Sequence, residues 1–154
     1  MTYRIAGLGA ESFQHLFDLP DAALADHDAI RVTATHSPGF PCRISLRDAQ
    51  PGEPLILVHH VSHDVATPYR SAYAIYVSKA AQAEEFHDAI PPVMQHRPLG
   101  LRGFDASGML RGARLAVAGE GDTAIRDLFA DAAIAYIHAH NAAHGCFVAK
   151  VERS

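Results

Sequence analysis

The stretch Ala135–Arg153, AYIHAHNAAHGCFVAKVER, constrains this chain more than any other segment. Two runs with apolar residues at alternate positions flank NAAHG, the pattern of two antiparallel strands joined by a turn. Register decides which side chains share a face, because a slip of one residue moves a whole set to the other side. A five-residue turn, Asn141–Gly145, sets His140 opposite Cys146, His138 opposite Val148 and Tyr136 opposite Lys150. It pairs Ala135, Ile137 and Ala139 with Val151, Ala149 and Phe147, leaving one face wholly apolar. A four-residue turn mixes Lys150 with Ile137 and sets Phe147 beside His138, so the five-residue register, or a bulge equivalent to it, is expected. The consequence is a polar face carrying His138, His140 and Cys146 together. The competing reading is a solvated outer face with incidental histidines.

Other segments extend this pattern. Tyr3–Leu8, Ile30–Thr35, the apolar run Leu55–Val61, and Ala72–Val77 are expected strands. Leu99–Ala106 and Met109–Val117 form a second expected hairpin, closed at Ser107-Gly108 with Asp105 as a turn-former. Short helices are expected around Phe13–Phe17, at Lys79–Ala89 (Ala-rich, stopped by Pro91-Pro92), and after Asp122 as N-cap. About seven strands and about three short helices, clustered rather than alternating, predict an α+β single domain, 1–154, with a mainly antiparallel sheet. No βαβ periodicity and no glycine-rich phosphate loop is present.

Composition agrees with one globular domain: 154 residues, 49 % hydrophobic and 19 % charged. With 13 basic against 17 acidic residues and no basic run, the electrostatic footprint of a nucleic-acid binder is missing. No apolar stretch approaches membrane-spanning length and the N-terminus has no signal-peptide pattern, so no membrane partner and a cytoplasmic location are expected. The 11 histidines are far in excess of usual, and protonating all of them reverses the sign of the net charge of -4. Cys42 and Cys146, 104 positions apart and without CxxC spacing, are expected to be separate thiols.

Chemistry has few places to reside. His59, His60 and His63 crowd the end of one strand, but no set of three or four ligands at metal-site spacing accompanies them, so neither metal nor cofactor is expected. Arg43, Arg70 and Arg97 lie in Pro-containing loops, where a rigid guanidinium suits bidentate capture of a carboxylate or phosphate; the competing role is tying loop carbonyls together. Glu53 is expected as a partner for Arg43 or Arg47, with a general base as the alternative role.

Two functions from different classes follow. In one, a small anionic molecule binds near the last hairpin through Arg43, Tyr69, Arg70 and Asn141. In its enzymatic version, Cys146 or Cys42 is a thiolate nucleophile activated by His138 or His140, with Asn141 as the orienting group. In the other, the chain is a non-catalytic interaction module acting as a homodimer through a sheet edge or an apolar face, motivated by high apolar content and few lysines.

The blocks GFPCRISLRDAQPGEPLIL, TPYRSAYAIYV, LRGFDASGML and AYIHAHNAAHGCFVAKVER, in this order, resemble the bacterial domain-of-unknown-function family 1203. The resemblance runs from about Ala6 to Arg153 and implies a single-domain bacterial cytoplasmic protein, but no activity. It also implies that Cys42-Arg43, Gly52-Glu53, Pro68-Tyr69-Arg70 and His138–Cys146 are characteristic positions. One departure is Ala72-Tyr73-Ala74 where the family tends to have Gly-Pro, which alters any pocket wall formed there.

Overall fold

A computed structural model describes all residues, Met1–Ser154. Nine strands form two antiparallel sheets. The larger has the order β5-β1-β9-β8-β6-β7, comprising β1 (Tyr3–Ala6), β5 (Glu85–His87), β6 (Leu99–Phe104), β7 (Leu110–Ala116), β8 (Tyr136–Asn141) and β9 (Phe147–Arg153). The smaller is β2-β3-β4, with β2 (Ala29–Thr33), β3 (Pro54–His63) and β4 (Ser71–Ser78). Helices α1 (Asp21–Ala25), α2 (Pro92–Gln95) and α3 (Gly121–Phe129) are short, and two 3-10 turns, Ala10–Ser12 and Gln14–Asp18, follow β1. The α+β class holds, and no helix is long and apolar enough to cross a membrane.

One face of the large sheet builds the main core. Ile5, Leu99, Leu101, Ile137, Ala139 and Val151 project from it onto Val93 and Met94 of α2 and onto Ile125, Leu128 and Phe129 of α3. The three α3 residues recur at helical spacing, so one stripe is buried while Arg126 faces outward. A second core lies on the small sheet, where Ile56, Val58, Ile75 and Val77 meet Phe13, Leu16, Leu24 and Ile44. The β6–β7 hairpin closes as its turn chemistry requires: Asp105 Oδ1 accepts the Ser107 amide at 2.9 Å and the Ser107 hydroxyl at 2.7 Å.

Two expected elements are corrected. Lys79–Ala89 is not a helix: its end pairs as β5 with β1, Ile5 opposite Phe86. Ala80 and Asp88 sit at φ 59° and 47°, outside the helical region. The edge of β1 offers backbone groups that β5 satisfies, and this outweighs the small helical preference of a few alanines. Asp122 is not an N-cap. Glu120 holds that position without a side-chain bond to the helix, while Asp122 accepts the Tyr3 hydroxyl at 2.6 Å and pairs with Arg126 at 3.0 Å.

The last hairpin keeps its expected face parity but not its partners. His138 lies opposite Lys150, Ile137 opposite Val151 and Ala139 opposite Ala149, and a register step then sets His140 opposite Phe147. Phe147 consequently shares the histidine face, with its ring centroid 5.0 Å from that of His138. Apolar and polar residues need not separate here, because both faces of β8 are covered. His138 and His140 are only 3 % and 4 % exposed. From the small sheet, His63 packs 4.8 Å from His138 and Tyr73 packs 5.0 Å from His140. The face that carries His138 and His140 is therefore a buried aromatic layer between two sheets, not the solvated outer face of the competing reading, and Cys146 lies outside that layer.

Candidate functional site

Arg43 is one of five buried polar residues, the others being His63, Ser78, His138 and His140. Its loop is pinned from both sides. The Arg43 amide donates to the Tyr76 carbonyl of β4 at 3.0 Å, and the Arg43 carbonyl accepts from the Leu8 amide at 2.9 Å. That approach requires Gly7, since a Cβ there would stand 1.8 Å from the Ile44 carbonyl oxygen. The guanidinium donates from Nε to the Phe147 carbonyl at 2.9 Å and from Nη1 to the Pro41 carbonyl at 2.6 Å.

Two carbonyls and no carboxylate hold this cation. Of the five N–H groups of a guanidinium, three remain without a partner in the protein. The only side-chain polar atom that is both sealed and unpartnered is Ser62 Oγ, so the free Nη2 of Arg43 is not sealed. It opens on a cavity of about 460 Å3 that Arg43 lines together with Tyr76, Arg97, Asn141, His144 and Cys146. Leu57, Ala74, Pro41 and Pro98 supply apolar wall, and no Asp or Glu lines the cavity. Burial lowers the Arg43 guanidinium to about 10, which leaves it charged at neutral pH. Arg97 is already committed, its Nη1 donating to Asp48 Oδ2 at 3.0 Å and its Nη2 to Oδ1 at 2.5 Å.

The expected site residues thus divide. Arg43, Asn141 and Cys146 meet in one cavity. Tyr69 and Arg70 do not line it; Arg70 pairs with Asp64 at 3.2 Å on the surface, and the Tyr69 carbonyl accepts from His63 Nδ1 at 2.8 Å. Cys42 is buried, its sulfur accepting from the Ser78 amide at 3.3 Å, and it lines a larger cavity of about 810 Å3 whose walls carry both signs of charge. Glu53 pairs with neither Arg43 nor Arg47; it accepts from Ser78 at 2.8 Å, while Arg47 pairs with Glu84 at 2.7 Å. Tyr76 was not singled out from the sequence, although alternation around buried Ile75 and Val77 places it on the opposite face of β4.

His138 and His140 are buried and make no hydrogen bond to a thiol. His140 Nδ1 donates to the Gly145 carbonyl at 3.0 Å, and the Cys146 sulfur is near the His144 carbonyl at 3.9 Å. Neither sulfur has a histidine ring nitrogen within hydrogen-bonding distance, so the thiol–imidazole contact of the nucleophile reading is not assembled. Burial holds His138 down at about 3, aided by His63 and His140, and His140 at about 4. No three His, Cys, Asp or Glu side chains converge as metal ligands.

Against known families, residues 39–153 match the family described as Protein of unknown function (DUF1203). The chain belongs to this family. Every wall residue of the Arg43 cavity, from Gly39 to Cys146, falls within the DUF1203 match, whereas β1, α1 and β2 precede it. Neither curated proteins nor solved structures gave a match.

Proposed function

We propose that this DUF1203 protein binds a small anionic molecule in the cavity lined by Arg43, Asn141 and Cys146. The observation that carries the reading is Arg43 itself: 3 % exposed, charged, and without a carboxylate partner. A buried charge lacking a counter-ion is costly, and an anion taken from solvent offsets that cost. The cavity size falls within the usual range for small-molecule sites. Thermal melting of the protein across a set of carboxylates, phosphate and sulfate tests it. At least one anion should raise Tm with a saturating concentration dependence that Arg43→Gln abolishes. A Tm indifferent to every anion sinks the reading.

The second reading, a non-catalytic module acting as a homodimer, has support of its own. Strand β7 is an outer edge of the large sheet, and Leu115 and Val117 at its end are 73 % and 55 % exposed. An unpaired edge with apolar side chains favours strand pairing between two copies. Size exclusion with light scattering at micromolar concentration distinguishes dimer from monomer, and Leu115→Lys should disperse a dimer.

A further inference from the structure

The walls of the Arg43 cavity narrow the class of anion. Charge comes first. Arg43 is the free arginine, because Asp48 chelates Arg97, and the only other basic wall residue is the exposed His144. One buried positive charge balances one negative charge, so a dianion leaves part of its charge desolvated without a partner. Hydrogen-bond geometry comes second. Phosphate sites are usually built from free backbone amides at turns or helix N-termini. Here the Gly39, Arg43 and Asn141 amides already donate within the protein and Pro41 and Pro98 have none, but the Ala143, His144 and Cys146 amides of the last turn are unpartnered, so phosphate is disfavoured by charge and not by amide supply. The planar edge of the Arg43 guanidinium matches the two coplanar oxygens of a carboxylate. Surface chemistry comes third: Leu57 and Ala74, with the Tyr76 ring, face the cavity beyond the guanidinium.

We infer that the ligand is a monocarboxylate on a small apolar body, its two oxygens on the free edge of Arg43 and its body against Leu57, Ala74 and Tyr76. This rests on the anion reading above and adds the ligand class. The Asn141 side-chain carboxamide, which has no hydrogen-bond partner within the protein, is placed to choose among monoacids that carry one further polar group.

Calorimetric titration of the full chain with benzoate, its neutral isostere benzamide, inorganic phosphate and succinate tests the inference. Benzoate should bind at least about tenfold more tightly than each of the other three. Arg43→Gln should weaken benzoate by at least about tenfold. Because that substitution also releases two carbonyls, Ala74→Phe serves as the second variant. Ala74 is exposed on β4, so a ring there occupies the cavity while leaving the bonds of Arg43 in place, and benzoate binding should fall by a similar factor. Phosphate or succinate binding more tightly than benzoate overturns the monocarboxylate class and leaves the anion reading standing. Benzoate affinity unchanged in both folded variants removes the ligand from this cavity, and no binding of any of the three anions removes both conclusions.

Discussion

The Nε2 atom of His63, at the end of β3, lies 2.7 Å from the hydroxyl of Tyr136 on β8, joining the small sheet to the large one. The other ring nitrogen, Nδ1, faces the Tyr69 carbonyl at 2.8 Å, and a carbonyl can only accept. The proton of the neutral ring is therefore on Nδ1, and Nε2 accepts from Tyr136. Tyr136→Phe keeps the ring, including its contact with Lys150, but leaves that nitrogen without its donor. A loss of about 1–3 kcal/mol is expected, measured as a shift in the urea midpoint at constant slope. An unchanged midpoint would show that the bond does not tie the sheets.

Acid should loosen the same interface. His138 and His140 are held near 3 and 4 in the folded protein, below the value of about 6.5 for an unfolded histidine. Between these values the unfolded chain binds more protons than the folded one, so stability is complete above about pH 6.5 and declines as pH falls toward 4. Each histidine contributes a slope of up to about 1.4 kcal/mol per pH unit in that window. Urea midpoints taken from pH 7 to pH 4.5 check this, and His138→Phe should remove roughly half the slope. Depressed carboxylates such as Asp122 and Glu152 act in the same direction but at lower pH, around and below 4.5.

The histidine layer marks how far sequence patterning reaches. Period-2 alternation placed His138 and His140 on one face, and that parity holds through Ala139. Whether such a face is wet or covered is not a local property. A histidine bonded to a carbonyl leaves the same letters as one in solvent, and the covering residues His63 and Tyr73 come from strands far away in the chain. The β6–β7 turn was legible because Asp105 completes it within a few residues. The strand at Glu85–His87 was not, since it exists only as the pairing of a distant edge, Ala6 with Glu85. In the cavity, Arg43 and Asn141 were legible as polar groups in rigid turns. Their meeting depends on the Phe147 carbonyl, presented where the register of β9 steps.

The close passage of Gly7 beside Ile44 positions the Arg43 loop. Gly7→Ala sets a Cβ against a backbone carbonyl that cannot rotate away, so the β1 end or the loop must shift. Overpacking of this kind costs about 1–3 kcal/mol, and binding of benzoate should weaken with it because Arg43 is displaced. Gly100→Ala is the control: no atom lies within 4 Å of its added Cβ, and stability should stay within about 0.5 kcal/mol. Equal effects of the two substitutions would deny Gly7 its positioning role.

The two cysteines offer a direct reading of the cavity. Both are free, Cys42 buried and Cys146 part-exposed beside Arg43. Iodoacetamide should alkylate Cys146 in the native protein while Cys42 reacts only through opening, slower by roughly a thousandfold or more. Iodoacetate carries the same leaving group on a monocarboxylate, so Arg43 should gather it beside Cys146, where the thiolate displaces iodide to give the S-carboxymethyl product. The rate ratio of iodoacetate to iodoacetamide at Cys146, measured by mass spectrometry, should exceed the ratio for N-acetylcysteine at the same pH. Arg43→Gln should return it to the free-thiol value, and benzoate should slow the iodoacetate reaction at Cys146 by the factor 1 + [benzoate]/Kd. A native ratio equal to that of the free thiol would mean that Arg43 does not attract carboxylates into the cavity that Cys146 lines.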